Sequence, residues 1–259
     1  MKPLTLSVII PLYNGLAQTL RALNTLQGTA QVAHEYIVQD DCGQYDADIR
    51  LCFHPAQASI DVNAQNLGFA GNCNAGAARA SGDILLFMNQ DVFAVQPHSQ
   101  DWDAAITKPF AFDNTVGIVG ARLLFPDGSI QSAGGIYDAR CQPFHRCLGY
   151  SDPNYHEVAT PREVSWVTGA VLAVRRDVFE RVGGFDTGYK SYFEDVALCE
   201  SVKALGFKVW YEPSCTLIHE VGSTGGSPHF AASALRFRQQ WVDTGKIKPD
   251  EGAVRANFW

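Results

Sequence analysis

The stretch Leu4-Thr5-Leu6-Ser7-Val8-Ile9-Ile10-Pro11-Leu12-Tyr13-Asn14 decides how this chain folds. From Leu4 to Ile10 it is an almost continuous apolar, β-branched run, the pattern of a strand covered on both faces. Pro11 ends the run, because it brings no N–H to a ladder. From Gly15 to Leu26 the apolar residues Leu16, Leu20, Leu23 and Leu26 recur at helical spacing. Tyr36–Val38 reads as a second strand running into Asp40 and Asp41, and Ser59–Val62 as a third. Gly68–Ala80 is rich in alanine and fits a helix entered through glycines, and Ile84–Met88 is a fourth strand ending at Asn89-Gln90-Asp91. This alternation predicts an α/β fold with a parallel, doubly wound sheet and right-handed crossovers.

The second half follows another rhythm. Val116–Ala121 reads as a strand, and Leu123–Phe125 with Ile130–Ser132 as a hairpin around Pro126-Asp127-Gly128. Residues 137–163 show no pattern and are read as either a functional lid or a partly disordered loop. Strands are expected at Val164–Val174, Phe207–Tyr211 and Thr216–His219. Helices are expected at Arg176–Val182, at Glu194–Leu205 with Gly206 as its cap, and at Phe230–Val242.

Composition narrows the function. The chain has 259 residues and a net charge of −7, which argues against a nucleic-acid binder with its basic face. Hydrophobic residues make up 46% and charged residues 18%, enough apolar mass for a sizeable core and too few charges for a disordered chain. Seven cysteines (Cys42, Cys52, Cys73, Cys141, Cys147, Cys199 and Cys215) are odd in number and lack C-x-x-C spacing, so reduced thiols in a cytosolic protein are expected. Lys2 and the run Leu4 to Leu12 have the outline of a short leader. Thr5, Ser7 and Pro11 interrupt that outline and no small-x-small cleavage site follows, so the strand reading is kept.

In an open parallel sheet, ligands bind beyond the carboxyl ends of the strands. The polar residues at those ends are Tyr13 and Asn14, Asp40 and Asp41, and Asn89 and Asp91. Each alone could be a simple turn residue; together they point to one crevice. Gly68-x-x-Gly71-x-x-x-x-Gly76 is neither a dinucleotide fingerprint nor a P-loop, and close approach to phosphate or tight helix packing both explain it. Val182-Gly183-Gly184-Phe185-Asp186 precedes Tyr192-Phe193-Glu194-Asp195, whose paired carboxylates are either a helix-dipole charge pair or a general base beside the crevice. His219, before Gly222-Ser223-Thr224-Gly225-Gly226, is either a metal ligand or a structural histidine.

The chain resembles the family 2 glycosyltransferases of GT-A fold, in the bacterial branch that includes rhamnosyltransferase-like enzymes. The likeness runs through Ser7 to Asn14, Asn66-Leu67-Gly68-Phe69-Ala70-Gly71-Asn72-Cys73-Asn74, Ser81 to Asp91, Trp166-Val167-Thr168-Gly169-Ala170, Gly183 to Asp186, Glu194-Asp195, and Pro213 with His219. It implies one GT-A domain over residues 1–259, with a Rossmann-like donor-nucleotide half (1–91) and a smaller mixed acceptor and catalytic half (92–259). It implies a nucleotide-sugar donor bordered by Pro11 and Tyr13, contacted by Asp40, and flanked by Asn66 and Gly68. Asn89-Gln90-Asp91 stands where the family carries D-x-D. Asp91 and His219 are then ligands of a divalent cation, Mg²⁺ or Mn²⁺, which offsets charge on the leaving diphosphate. Asp195 matches the base, with Glu194 beside it, and Trp166 and Gly169 shape the acceptor side.

The implied reaction is inverting transfer to a hydroxyl of a polysaccharide or lipid-linked saccharide, in the cytoplasm or at the inner face of the membrane. Two departures from the pattern are Asn89 in place of the first Asp, and Val196-Ala197-Leu198-Cys199 after Asp195. They keep a second reading open, a catalytically impaired sugar-nucleotide-binding protein of the same fold. A nucleotidyltransferase would want a basic loop after the first strand, and no Lys or Arg follows Tyr13 until Arg21. Arg236, Arg238, Lys246 and Lys248, with Phe237 and Trp241, suit either a peripheral membrane contact or a solvated helix.

Overall fold

The computed structural model describes residues 4–43, 54, 58–220 and 229–250. Cys52 and the glycine-rich run 222–226 lie outside the described residues. The N-terminal half consists of β1 (Leu6–Leu12), α1 (Leu16–Gln27), β2 (Ala33–Asp40), β3 (Ser59–Val62), α2 (Gly68–Arg79) and β4 (Ile84–Met88). β1 lies between β4 and β2, β3 follows β2, and all these pairings are parallel. Every residue of β1 is buried, and the strand runs on through Pro11, which pairs with Gln39, to Leu12 instead of ending at the proline.

The strand alternation sends those residues into two layers. Val8, Ile10 and Leu12 join Leu23 and Leu26 of α1, and Ile9 packs with Ile37, Cys73 and Ala77 on the other face. Each such side chain contributes about 1.5–3 kcal/mol by leaving water.

The second half adds β5 (Val92–Phe93), α3 (Trp102–Phe112), β6 (Val116–Leu124), β7 (Ile130–Ser132), β8 (Gly135–Tyr137) and β9 (Pro143–His145). It continues with α4 (His156–Ala159), β10 (Arg162–Glu163), β11 (Val171–Arg175), α5 (Arg176–Arg181), α6 (Glu194–Ala204), β12 (Lys208–His219) and α7 (Phe230–Phe237). β11 is antiparallel to both β4 and β6, so it joins the two halves into one sheet of order β10-β12-β6-β11-β4-β1-β2-β3. β5 pairs with the end of β12, and β7 with the end of β6. This is the mixed α/β architecture that the strand and helix signals imply.

Several expectations are corrected. α3 had no counterpart in the patterning, because Pro109 sits inside it and hides the spacing of its buried Trp102, Ile106 and Phe110. Residues 137–163 are not structureless: the end of β8, then β9, α4 and the whole of β10 fall there. Val164–Val174 is not one strand. Only Val171–Arg175 joins the main sheet, and Trp166 instead bridges to Gly135. Gly135 is required at that point, since a Cβ there would lie 2.1 Å from Trp166 Cε2. Phe207–Tyr211 and Thr216–His219 are parts of the single strand β12, whose register with β6 shifts between Glu212 and Thr216. Phe230–Val242 is helical, though its last turn, Arg238–Val242, is widened to a π-helix. Phe237 and Trp241 are buried in the core, while Phe230 and Leu235 of the same segment are exposed. Among the described residues every cysteine is a free thiol, and no helix is long and apolar enough to cross a membrane.

The glycines of α2 pack tightly. A Cβ on Gly76 would stand 2.6 Å from Ile9 Cγ2, and one on Gly71 2.7 Å from Leu67 Cβ. We expect Gly76→Val to destabilise the protein by about 1–3 kcal/mol through overpacking against β1. Urea unfolding checks this, and an unchanged midpoint would show that α2 tolerates the added bulk.

Candidate functional site

A pocket of about 1070 Å³ opens beyond the carboxyl ends of β1 and β4. Its walls bring together Pro11, Tyr13, Asn66, Gly68, Asn89 and Asp91 from the first half. From the second half come Trp166, Gly169, Glu194, Asp195 and His219. Of the residues singled out from the sequence, Asp40 alone is not in the wall, and Asp41 lines it instead.

Asp40 ends β2 fully buried, with one oxygen receiving the Gly43 N–H at 3.3 Å and Oδ1 without a partner. Burial pushes its carboxyl above the usual range, against the Gly43 bond; the charge of Asp41 pushes the same way as burial. Asp41 accepts the N–H groups of Leu67 at 2.7 Å and Gly68 at 2.9 Å, and an amide hydrogen of Asn63 at 2.9 Å. A carboxylate of this chain therefore holds the first amides of α2, where the helix dipole favours it. Of the two readings of the glycine spacing, packing is the one the geometry carries.

Gln90 ties the loops that follow β1 and β4 together. Its Oε1 accepts the Tyr13 N–H at 2.9 Å and its Nε2 donates to the Tyr13 carbonyl at 3.3 Å. Gly15 leaves room for it, since a Cβ there would lie 1.9 Å from Gln90 Nε2. Sequence reasoning passed over this residue, although its place inside Asn89-Gln90-Asp91 was a signal.

Asp91 and His219 meet because β5 pairs with the end of β12, placing Val92 opposite His219. The Glu220 N–H also donates to the Asp91 carbonyl at 3.0 Å. Asp91 Oδ1 lies 3.2 Å from His219 Nε2, and Asn89 Nδ2 lies 3.4 Å from the same nitrogen. On the far side of the ring, Gln131 Oε1 is 2.6 Å from His219 Nδ1. Two ligands of one octahedral cation with bonds of about 2.1 Å stand roughly 3 Å apart, so this pair suits a divalent ion. Among the described residues no group of three or more His, Cys, Asp or Glu side chains could hold a metal. A cation here would therefore draw its remaining ligands from phosphate oxygens and water, as Mg²⁺ commonly does.

The opposite wall is the start of α6. Tyr192 (φ 65°) and Phe193 (φ 69°) both adopt the left-handed conformation, a strained turn of the kind found at functional sites. It delivers Glu194 and Asp195 to the pocket. Asp195 accepts the Gly169 N–H on Oδ2 at 2.7 Å and the Val196 N–H on Oδ1 at 2.8 Å. Burial raises its carboxyl above the ordinary range, and these amide bonds partly offset the shift. Glu194 is pushed up to about 8, first by burial and then by the Asp195 charge, and its Oε2 has no partner. Of the two carboxyls, Glu194 is thus the one that burial and its neighbour's charge favour in the protonated form.

The Gly183-Gly184-Phe185-Asp186 segment is scaffold for this wall. Asn74 of α2 binds the Phe185 N–H and carbonyl, both at 2.9 Å, and Phe185 is buried against Phe87 and Phe179. Trp166 is likewise buried, its indole N–H donating to the Ile136 carbonyl at 3.2 Å. His145, unnoticed in the sequence, stacks 4.9 Å from the Trp166 ring in the pocket wall. Burial, and secondarily the neighbouring His219 ring, lowers its pKa to about 4.

Residues 7–183 match the Glycosyl transferase family 2 profile. The O-antigen biosynthesis protein RfbC of Myxococcus xanthus is 34% identical over 68% of this chain and 13% of its own length. The N-acetylglucosaminyl-diphospho-decaprenol L-rhamnosyltransferase of Mycobacterium tuberculosis is 35% identical over 45% of this chain and 42% of its own. This chain thus spans less than half the length of those relatives. GalNAc-T7, solved with UDP, GalNAc and Mn²⁺, superposes with a TM-score of 0.73 at 19% identity, over 93% of this chain and 49% of that one. With the family profile covering most of its length and its sheet of GT-A type, this chain belongs to glycosyl transferase family 2.

Proposed function

We propose that the chain moves a sugar from a nucleoside-diphosphate sugar to a hydroxyl of a saccharide or lipid-linked saccharide, inverting the anomeric carbon. The observation that carries this reading is that Asp195 and the Asp91–His219 pair wall one pocket from different elements of the fold. In this reading residues 1–91 bind the nucleotide and residues 92–259 present the acceptor. Pro11 and Tyr13 border the base, with Asp41 rather than the buried Asp40 in the same wall, and Asn66 and Gly68 flank the donor. Trp166 and Gly169 face the acceptor, Gly169 also holding Asp195 through its amide. A lipid-linked acceptor would bring the protein to the inner face of the membrane.

Asp91 and His219, with Asn89 beside them, would hold Mg²⁺ or Mn²⁺; when bound, the ion offsets the charge that gathers on the departing diphosphate. Asp195 takes the proton of the acceptor hydroxyl as its oxygen attacks the anomeric carbon. Its raised pKa makes it a better base than an exposed aspartate, provided the pH is high enough to ionise it. Both its oxygens are tethered to backbone N–H groups, so the carboxylate is oriented before the acceptor arrives. Glu194, in its protonated form, leaves the pocket with less negative charge to repel a diphosphate.

Asp195→Asn is expected to lower kcat by about 10²–10⁴-fold, with sugar-nucleotide binding retained in a thermal-shift assay across a donor panel. Unchanged turnover would remove Asp195 from the mechanism, and turnover absent in the wild type with every donor would favour a binding protein. Asp91→Asn is expected to raise the Mn²⁺ concentration for half-maximal activity by about 10-fold or more. Activity independent of added metal in wild type and variant alike would exclude the cation.

The Glu194 shift also sets a stability trend. Its folded pKa of about 8 exceeds the ordinary value of 4.5. The folded state therefore binds the extra proton between these values, and stability falls as pH rises through that window. Glu194→Gln is expected to match wild type near pH 4.5 and to exceed it by a few kcal/mol near pH 8. Parallel stability curves in urea would show that Glu194 ionises normally.

A further inference from the structure

We propose that Gln131 is the positioning residue that prepares His219 to bind the cation. The inference rests on the reading of Asp91 and His219 as metal ligands. Gln131 is the middle residue of β7, is 7% exposed, and lies in the pocket wall. β6 pairs with both β7 and β12, and β12 ends at His219, so the sheet carries the alignment from one residue to the other.

Gln131 contacts His219 twice. Its Nε2 donates to the His219 backbone carbonyl at 3.1 Å, and its Oε1 lies 2.6 Å from Nδ1. The first contact fixes the amide's orientation, because turning it over would set two carbonyl oxygens against each other. Oε1 can only accept, so Nδ1 must carry the hydrogen. A neutral imidazole has one such hydrogen, which leaves the Nε2 lone pair as an acceptor for the Asn89 amide at 3.4 Å or for a cation. That lone pair faces Asp91 Oδ1 at 3.2 Å, and two acceptors at this separation repel unless a positive charge sits with them. The competing tautomer would donate from Nε2 to Asp91 and set the Nδ1 lone pair against Gln131 Oε1 at 2.6 Å. Gln131 disfavours that arrangement, in which no ion could bind the ring without first removing its proton. A side chain that holds the distal nitrogen of a ligating histidine fixes both its tautomer and its orientation.

The test is Mn²⁺ binding to the full chain, followed by electron paramagnetic resonance of the free ion, with folding checked by circular dichroism. Gln131→Met keeps the length and removes the acceptor; it is expected to weaken Mn²⁺ binding about 10–100-fold. Gln131→Ala, which leaves space for water, serves in its place if the Met variant does not fold. Gln131→Glu keeps an acceptor facing Nδ1 and is expected to bind Mn²⁺ as tightly as wild type or more so. His219→Ala is expected to lose at least as much affinity as Gln131→Met. Wild-type affinity in Gln131→Met together with a loss in His219→Ala would overturn the role of Gln131 alone. Equal losses in the Met and Glu variants would reduce Gln131 to a packing residue and also overturn it. Wild-type affinity in His219→Ala would overturn the metal reading of His219, and this inference with it.

Discussion

The pairing of Val92 with His219 is the contact on which the pocket depends. β5 is only Val92–Phe93, yet it attaches the chain just after the fourth parallel strand to the far end of β12. In the sheet β4 and β12 are separated by β11 and β6, and it is this pairing that brings Asp91, beyond the end of β4, to His219. β11 reinforces the closure by running antiparallel between β4 and β6, so the donor-side half and the second half share one sheet. The site is therefore a seam, and each wall is positioned by a different stretch of sequence.

That seam concentrates negative charge. Asp41, Asp91, Glu194 and Asp195 all face one pocket, and taking carboxylates out of water is costly unless they are hydrogen-bonded. Each is managed differently. Asp41 is bound by the first amides of α2, and Asp195 by the amides of Gly169 and Val196. Asp91 lies 3.2 Å from the His219 imidazole, and burial raises the Glu194 carboxyl toward its neutral form. The strained turn at Tyr192 and Phe193 belongs to the same economy: conformational strain is tolerated where it aims the paired carboxylates inward.

Much of this was legible in the residues. The parallel half follows from apolar runs that need cover on both faces, and its polar strand ends do converge on one crevice. Glu194-Asp195 falls at a helix start, as its position before an amphipathic run suggests. Asp40 illustrates the limit. Two adjacent aspartates end β2, and local sequence offers no means of telling which side chain turns into the pocket and which into the core. Gln131 illustrates it further, being an ordinary strand residue until β12 brings a histidine to it.

The sequence by itself determined the layered α/β class, the edge of the sheet where the pocket opens, and most of the polar residue types that line it. These depend on strand period, helix period and chain reversal, which are local properties of the backbone. Only the tertiary structure decided which carboxylates face the pocket, which are pushed toward the protonated form, and which neighbour orients His219. Those outcomes are set by burial and by contacts between residues far apart in the chain, such as Gln131 and His219 or Gly169 and Asp195, and such contacts leave no periodic trace in either segment.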